Sequence, residues 1–173
     1  MGVLISSANF TGKWAIPNQS FGVLDQWIND REEDYLNGLL GAAMYADFKS
    51  TLTGSPQAPP PTSVGYYAVY NPFAVDYGSK IYKSKGLVKM LMGFIFFDYM
   101  KELRFKNTQN GQEVAKLDTG NTVQVGNLYS YLNEATNTYQ AIQAYIQNIH
   151  PEQFSTTIEF NGQYKSVGIS IFG

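Results

Sequence analysis

Residues 87–100, within "KGLVKMLMGFIFFDYMKELRF" (85–105), are apolar at nearly every position, with Lys89 and Asp98 as the interruptions. Spanning a bilayer core takes about 20 apolar residues, and this run falls well short. A helix that is apolar on every side must be covered on every side, by its own chain or by other subunits. The run therefore predicts the central helix of a bundle and not a membrane segment.

Two segments carry stripes that can provide cover. "NLYSYLNEATNTYQAIQAYIQNIHP" places Leu128, Leu132, Ala135, Tyr139, Ile142, Ile146 and Ile149 at helical spacing and ends at Pro151. "DREEDYLNGLLGAAMYADFKSTL" does the same with Leu36, Leu39, Leu40, Ala43, Met44 and Phe48. At its start Asp30 is expected to cap, with Glu33 three residues on, and Asp30, Glu32, Glu33 and Asp34 complement the positive end of the helix dipole. Capping and solvation explain these acids better than a catalytic carboxylate pair does. Gly38, Gly41, Ala42 and Ala43 predict a close backbone approach to a second helix or to a copy of the protein. Leu24, Trp27 and Ile28 predict a short, separate helix ahead of this one.

The remainder reads as non-helical. Residues 1–20 show no sustained period and contain Gly12, Pro17 and Asn18, which predicts an extended arm. Four prolines within 53–63 make that stretch a stiff connection. Residues 64–86, rich in Tyr, Val and Phe, predict short extended segments with a hairpin around 76–79. Residues 107–126 are polar, with Asn110-Gly111 and Thr119-Gly120-Asn121 marking loop or hairpin chemistry. The tail switches to period two: Thr156, Ile158 and Phe160 precede an Asn161-Gly162 turn, and Val167, Ile169 and Ile171 follow it. The expected fold is mainly α: a bundle of three to four helices, an extended N-terminal arm, a small β element near 65–83 and a C-terminal β-hairpin. Its divisions are an arm over 1–20, a bundle over 21–150 and a hairpin over 151–173. A lone hairpin is marginally stable in water, so arm and hairpin are read as contact elements. The contact residues expected are Phe10, Trp14, Ile158, Phe160, Tyr164, Ile169 and Ile171.

The chain of 173 residues is long enough for one domain with a real core. Twelve Lys and Arg against fourteen Asp and Glu leave a formal charge of -2, which disfavours non-specific nucleic-acid binding. The absence of cysteine removes disulfides, thiolate metal sites and thiol nucleophiles, and suits a reducing, cytosolic compartment. "MGVLISSANF" lacks the form of a secretory signal, and the sequons at Asn9 and Asn18 are read as chance matches. The single histidine, His150, falls at a helix C-terminus, where a cation is favourable and no second imidazole completes a metal site. Lys80, Lys83, Lys85 and Lys89 read as a solvated basic face. No catalytic, cofactor or metal residue is assigned. Two rivals stay open: an enzyme using Asp98 or Glu102, and a bacterial ligand- or carbohydrate-binding module using the aromatics of 66–82 as a stacking platform.

The order of features over residues 30–150 resembles the head-to-tail connector, or adaptor ring, proteins of tailed bacteriophages, in particular crAss-like and other Bacteroides phages. "YLNGLLGAAMYADFKSTL" resembles the family's Leu-Gly helix, and "KSKGLVKMLMGFIFFDYM" its apolar central helix led by Gly-Leu. "TQNGQEVAK" resembles the Thr-x-x-Gly loop, and "YLNEATNTYQAIQAYI" the closing helix. The resemblance implies a non-enzymatic virion protein at the neck, assembled in the bacterial cytoplasm. It also implies a homo-oligomeric ring, typically of twelve copies, between the portal protein and the tail or further adaptors. DNA would pass through its channel without sequence-specific binding, and no cofactor or membrane would be involved.

Overall fold

A computed structural model of the chain describes residues 4–16, 21–53, 59–108, 111–114, 125–154, 160, 162 and 163. Of residues 21, 22, 103–108, 111–114 and 125–127 it describes the backbone alone. In chain order the regular elements are α1 (Phe21–Leu40), α2 (Ala42–Ser50), α3 (Val64–Tyr70), β1 (Phe73–Tyr77), β2 (Lys80–Ser84), α4 (Leu87–Arg104), β3 (Phe105–Thr108), β4 (Gly111–Val114) and α5 (Val125–Ala144). The strands form two separate antiparallel hairpins, β1–β2 and β3–β4. The fold is mainly α with a small β component, but it has five helices among the described residues where three to four were expected.

The first two helices divide differently from the expectation, though their number is unchanged. Leu24, Ile28, Glu32, Leu36, Leu39 and Leu40 are all buried at helical spacing, so a single stripe runs through the point where a new helix was expected to start. Asp30 is consequently exposed in mid-helix and caps nothing. The break falls instead at Gly41, whose φ of 78° suits glycine alone. The Gly41 N–H closes α1 on the Asn37 carbonyl at 2.8 Å, and its carbonyl accepts the Tyr45 N–H of α2 at 2.9 Å.

The additional helix is α3, where an extended segment was expected. Tyr66 and Val69, three residues apart, are 1% and 0% exposed. The Tyr66 ring meets Phe48 edge-on at 5.4 Å, and its hydroxyl donates to the Asp47 carboxylate at 2.9 Å. Burying that face outweighs the strand preference of Tyr and Val. The hairpin around 76–79 forms with Tyr77 opposite Lys80 and Gly78 at φ 64°. α5 carries its stripe into a π-helical turn over Tyr145–Ile149, closed by a 2.9 Å bond from the His150 N–H to the Tyr145 carbonyl.

α4 lies at the centre. Leu87, Met90, Leu91, Phe94, Ile95, Phe96 and Met100 are at most 2% exposed. α1 covers one side through Tyr35, which stacks on Phe94 at 4.8 Å. α5 covers another, with Tyr131 and Tyr139 edge-on to Phe96 and Phe94. The N-terminal segment covers a third through Trp14, edge-on to Phe96 at 5.7 Å. That segment is not extended: it forms two 3-10 turns, Ser7–Asn9 and Gly12–Trp14, and buries Leu4, Ile5, Phe10, Trp14 and Ile16. No helix among the described residues is long and apolar enough to cross a membrane. Of the hairpin expected over 151–173, only 151–154, Phe160, Gly162 and Gln163 are described, and Pro151–Gln153 forms a 3-10 turn there and not a strand.

A tight helix crossing within the chain falls at Gly93 and not at Gly38, Ala42 or Ala43. A Cβ on Gly93 would stand 2.7 Å from the Ala135 Cβ and 3.1 Å from the Tyr131 carbonyl oxygen. Ala42 and Ala43 are exposed, and a Cβ on Gly38 would meet only the Tyr139 hydroxyl, at 3.7 Å. Gly93→Ala should therefore destabilise the fold by about 1–3 kcal/mol in urea unfolding. Adding Ala135→Gly should recover part of that loss, and purely additive effects would contradict a shared crossing.

Candidate contact surface

The N-terminal segment has few regular backbone partners, and carboxylates of α1 supply them. Glu32, 3% exposed, accepts the Leu4 N–H at 3.0 and 3.2 Å through its two oxygens, and the Ile5 N–H at 3.1 Å. Asp25, farther toward the start of α1, accepts the Ser7 N–H at 2.8 Å. A carboxylate can be buried when backbone donors converge on it, and such charge-assisted bonds are stronger than neutral ones. Glu32 was read as a capping or solvated residue and is neither. The signal that locates it is its position: four residues from both Ile28 and Leu36, it stands within the apolar stripe.

Of the contact residues expected from the sequence, Phe10 and Trp14 are 5% and 4% exposed and belong to the chain's own core. Trp14 also packs on Tyr131 at 4.5 Å, with the Lys13 and Lys89 ammonium groups 5.0 and 5.9 Å from its ring centre. Phe160 is half-buried against the core. Ile158, Tyr164, Ile169 and Ile171 lie outside the described residues.

The exposed apolar side chains cluster elsewhere in the sequence. Val64, Tyr67, Tyr77 and Ile81 are 74%, 52%, 48% and 63% exposed, and all belong to α3 or to the β1–β2 hairpin. Val64 and Tyr67, three apart, share a side of α3. On the hairpin, Phe73, Val75, Tyr82 and Ser84 are the more buried set, and Phe73 packs on Tyr145 at 4.8 Å. Alternation leaves Ala74, Asp76, Ile81 and Lys83 facing outward, with Asp76 opposite Ile81 and Ala74 opposite Lys83. Lys80, Lys83, Lys85 and Lys89 are all exposed. Neither β1 nor β2 pairs with a third strand among the described residues. Of the aromatic stretch 66–82, Tyr66 is lost to the core and Tyr67 and Tyr77 remain available.

The carboxylates of α4 take ordinary structural positions. Asp98 accepts a hydrogen bond from the Tyr35 hydroxyl, and Glu102 is exposed. His150 pairs with Glu152 at 2.9 Å on the surface, and that bond holds the Glu152 carboxyl below its ordinary range. No three His, Asp or Glu among the described residues are grouped as a metal site would need. Burial pushes the phenols of Tyr35, Tyr66 and Tyr139 well up, with Asp98 and Asp47 adding to the rise at Tyr35 and Tyr66. Burial likewise pushes Tyr45 up to about 12. These groups are fully protonated packing elements at neutral pH.

Two outcomes follow from these groups. Glu32→Gln keeps one acceptor but places an amide N–H against backbone donors, which should cost about 2 kcal/mol. Amide exchange at Leu4 and Ile5 should accelerate more than exchange in α5, and uniform acceleration would argue against a local clamp. For the tyrosines, the folded state holds the phenolic proton more tightly than the unfolded chain does. Their stabilisation is full below the ordinary phenol value of about 10 and is lost as pH rises toward the raised values. The urea midpoint should fall above about pH 10, and less steeply in Tyr66→Phe; a midpoint flat through this range would refute the assignment.

Compared with protein families, with characterised proteins and with solved structures, the chain matches none.

Proposed function

We propose that this chain is a binding and assembly module that works by surface complementarity and makes or breaks no covalent bond. The observation that carries this is the placement of Val64, Tyr67, Tyr77 and Ile81: four of the six large apolar side chains left exposed among the described residues fall on α3 and the β1–β2 hairpin. Both elements are anchored to the core, α3 by Tyr66 and Val69 and the hairpin by Phe73 on Tyr145, with Ile81 on the hairpin's outward face and Tyr77 exposed at its turn. Rigid tyrosines offer wide amphipathic contact area at low entropic cost.

The first form of this function is a module that holds a ligand, such as a carbohydrate, against Tyr67 and Tyr77. The exposure of these two rings favours it over the second form. The second form is the phage head-to-tail connector, a ring joining portal to tail in the virion neck, and it draws on the resemblance of residues 30–150. The hairpin edges, unpaired among the described residues, and the exposed Ile81 would then meet a neighbouring copy by strand addition.

Native mass spectrometry of the purified chain, run beside a glycan array, separates the two. The ligand-binding form predicts a monomer whose glycan binding weakens about tenfold or more in Tyr67→Ala or Tyr77→Ala. The connector form predicts a discrete ring that Ile81→Asp disrupts. A monomer that binds no glycan and joins no ring would overturn both.

A further inference from the structure

The break between α1 and α2 creates a second feature, independent of that surface. In an unbroken helix the Gly38 and Leu39 carbonyls would accept the N–H groups of residues 42 and 43. The turn at Gly41 leads those donors away, leaving carbonyls at a helix end in need of partners. α5 and the chain's own tail supply them. The Gln163 N–H donates to the Gly38 carbonyl at 2.6 Å. The Tyr139 hydroxyl lies 2.6 Å from both the Gly38 and Gln163 carbonyls, and its single proton serves one at a time. The Gln143 side-chain amide donates to the Gln163 carbonyl at 3.0 Å and approaches the Leu39 carbonyl at 3.4 Å.

Both backbone groups of Gln163 are therefore read, while its side chain is exposed and is not selected. Selection falls on its neighbours. A Cβ on Gly162 would run into the Leu39 carbonyl and the Phe160 ring, and Phe160 itself packs against the core. The slot also carries one acceptor that the described tail residues do not satisfy: Gln143 is 1% exposed and its Oε1 has no hydrogen-bond partner among the described residues. A receptor that leaves a buried acceptor unpaired holds its occupant less tightly than it could hold a segment with one more donor.

We propose that the α1–α2 break and the facing side of α5 form a peptide-binding slot for an aromatic-x-Gly-x segment, and that this chain's own Phe160, Gly162 and Gln163 occupy it as a displaceable plug. Its elements are Gly38, Leu39, Tyr139 and Gln143. It shares no residue with the α3 and hairpin surface, so either assignment can fail without the other.

The test uses the full-length Gly162→Val chain, with circular dichroism confirming that the helices persist, and a labelled peptide of the sequence of residues 157–166, "TIEFNGQYKS". Fluorescence anisotropy should show saturable binding to the variant about tenfold or more tighter than to the wild type, whose tethered segment competes at high effective concentration. Replacing the peptide's glycine by alanine, or adding Gln143→Leu to the variant, should weaken binding by about tenfold or more. Equal affinity for wild type and variant, no binding to the variant, or indifference to the glycine would overturn the proposal. Amide exchange in the unmodified chain gives a separate check. The Gln163 N–H should be protected in the wild type and unprotected in Gly162→Val, and a wild-type rate equal to that of an unstructured chain would equally overturn it.

Discussion

The need to cover α4 governs the rest of the molecule. A helix whose side chains bury in nearly every direction cannot lie at a surface, since leaving a single large apolar side chain in water forfeits about 1.5–3 kcal/mol. Two helices cannot enclose a third. α1 and α5 therefore take two sides of α4, and the N-terminal segment, which has no helical stripe of its own, is drawn onto another side through Trp14 and its neighbours. The Gly93–Ala135 crossing then sets how closely α4 and α5 approach, and with it how the rings of Tyr131 and Tyr139 meet Phe96 and Phe94.

Apolar cover brings irregular backbone into the interior, and irregular backbone brings unpaired polar groups with it. The fold meets this in opposite ways at its two ends. Where the N-terminal segment needs acceptors, Glu32 and Asp25 provide carboxylates; where the broken end of α1 needs donors, Tyr139, Gln143 and the Gln163 N–H converge. In both places α1 is the rail on which a non-helical segment is held. The polar groups fix where those segments lie, and the apolar groups supply most of the reason for them to be there.

What remains outside this arrangement is equally informative about function. The phenols that burial holds protonated, the Asp98 carboxylate bonded to Tyr35 and the paired His150 are all accounted for by packing and hydrogen bonding. Packing leaves exposed, among other groups, Val64, Tyr67, Tyr77 and Ile81 together with lysines of the hairpin.

The central position of 87–100, the stripe of α5 up to Pro151 and the hairpin at 76–79 were legible because each depends on local periodicity or local turn chemistry, which a chain displays along its length. Glu32 was legible in principle, since its spacing from Ile28 and Leu36 marks it as interior, but its charge argued locally for a cap. Phe10 and Trp14 show the limit most clearly: an aperiodic, aromatic segment reads as an arm for a neighbour until one knows that α4 has a bare side within the same chain. The helical state of 64–70, the break at Gly41 with its orphaned carbonyls, and the choice of Gly93 over Gly38 as the crossing point were likewise tertiary decisions. By itself the sequence determined that an apolar helix must be enclosed and which helices could share the task. Only the tertiary structure decided which segments complete the enclosure, because burial is a property of what lies opposite a side chain, and sequence order does not say what that will be.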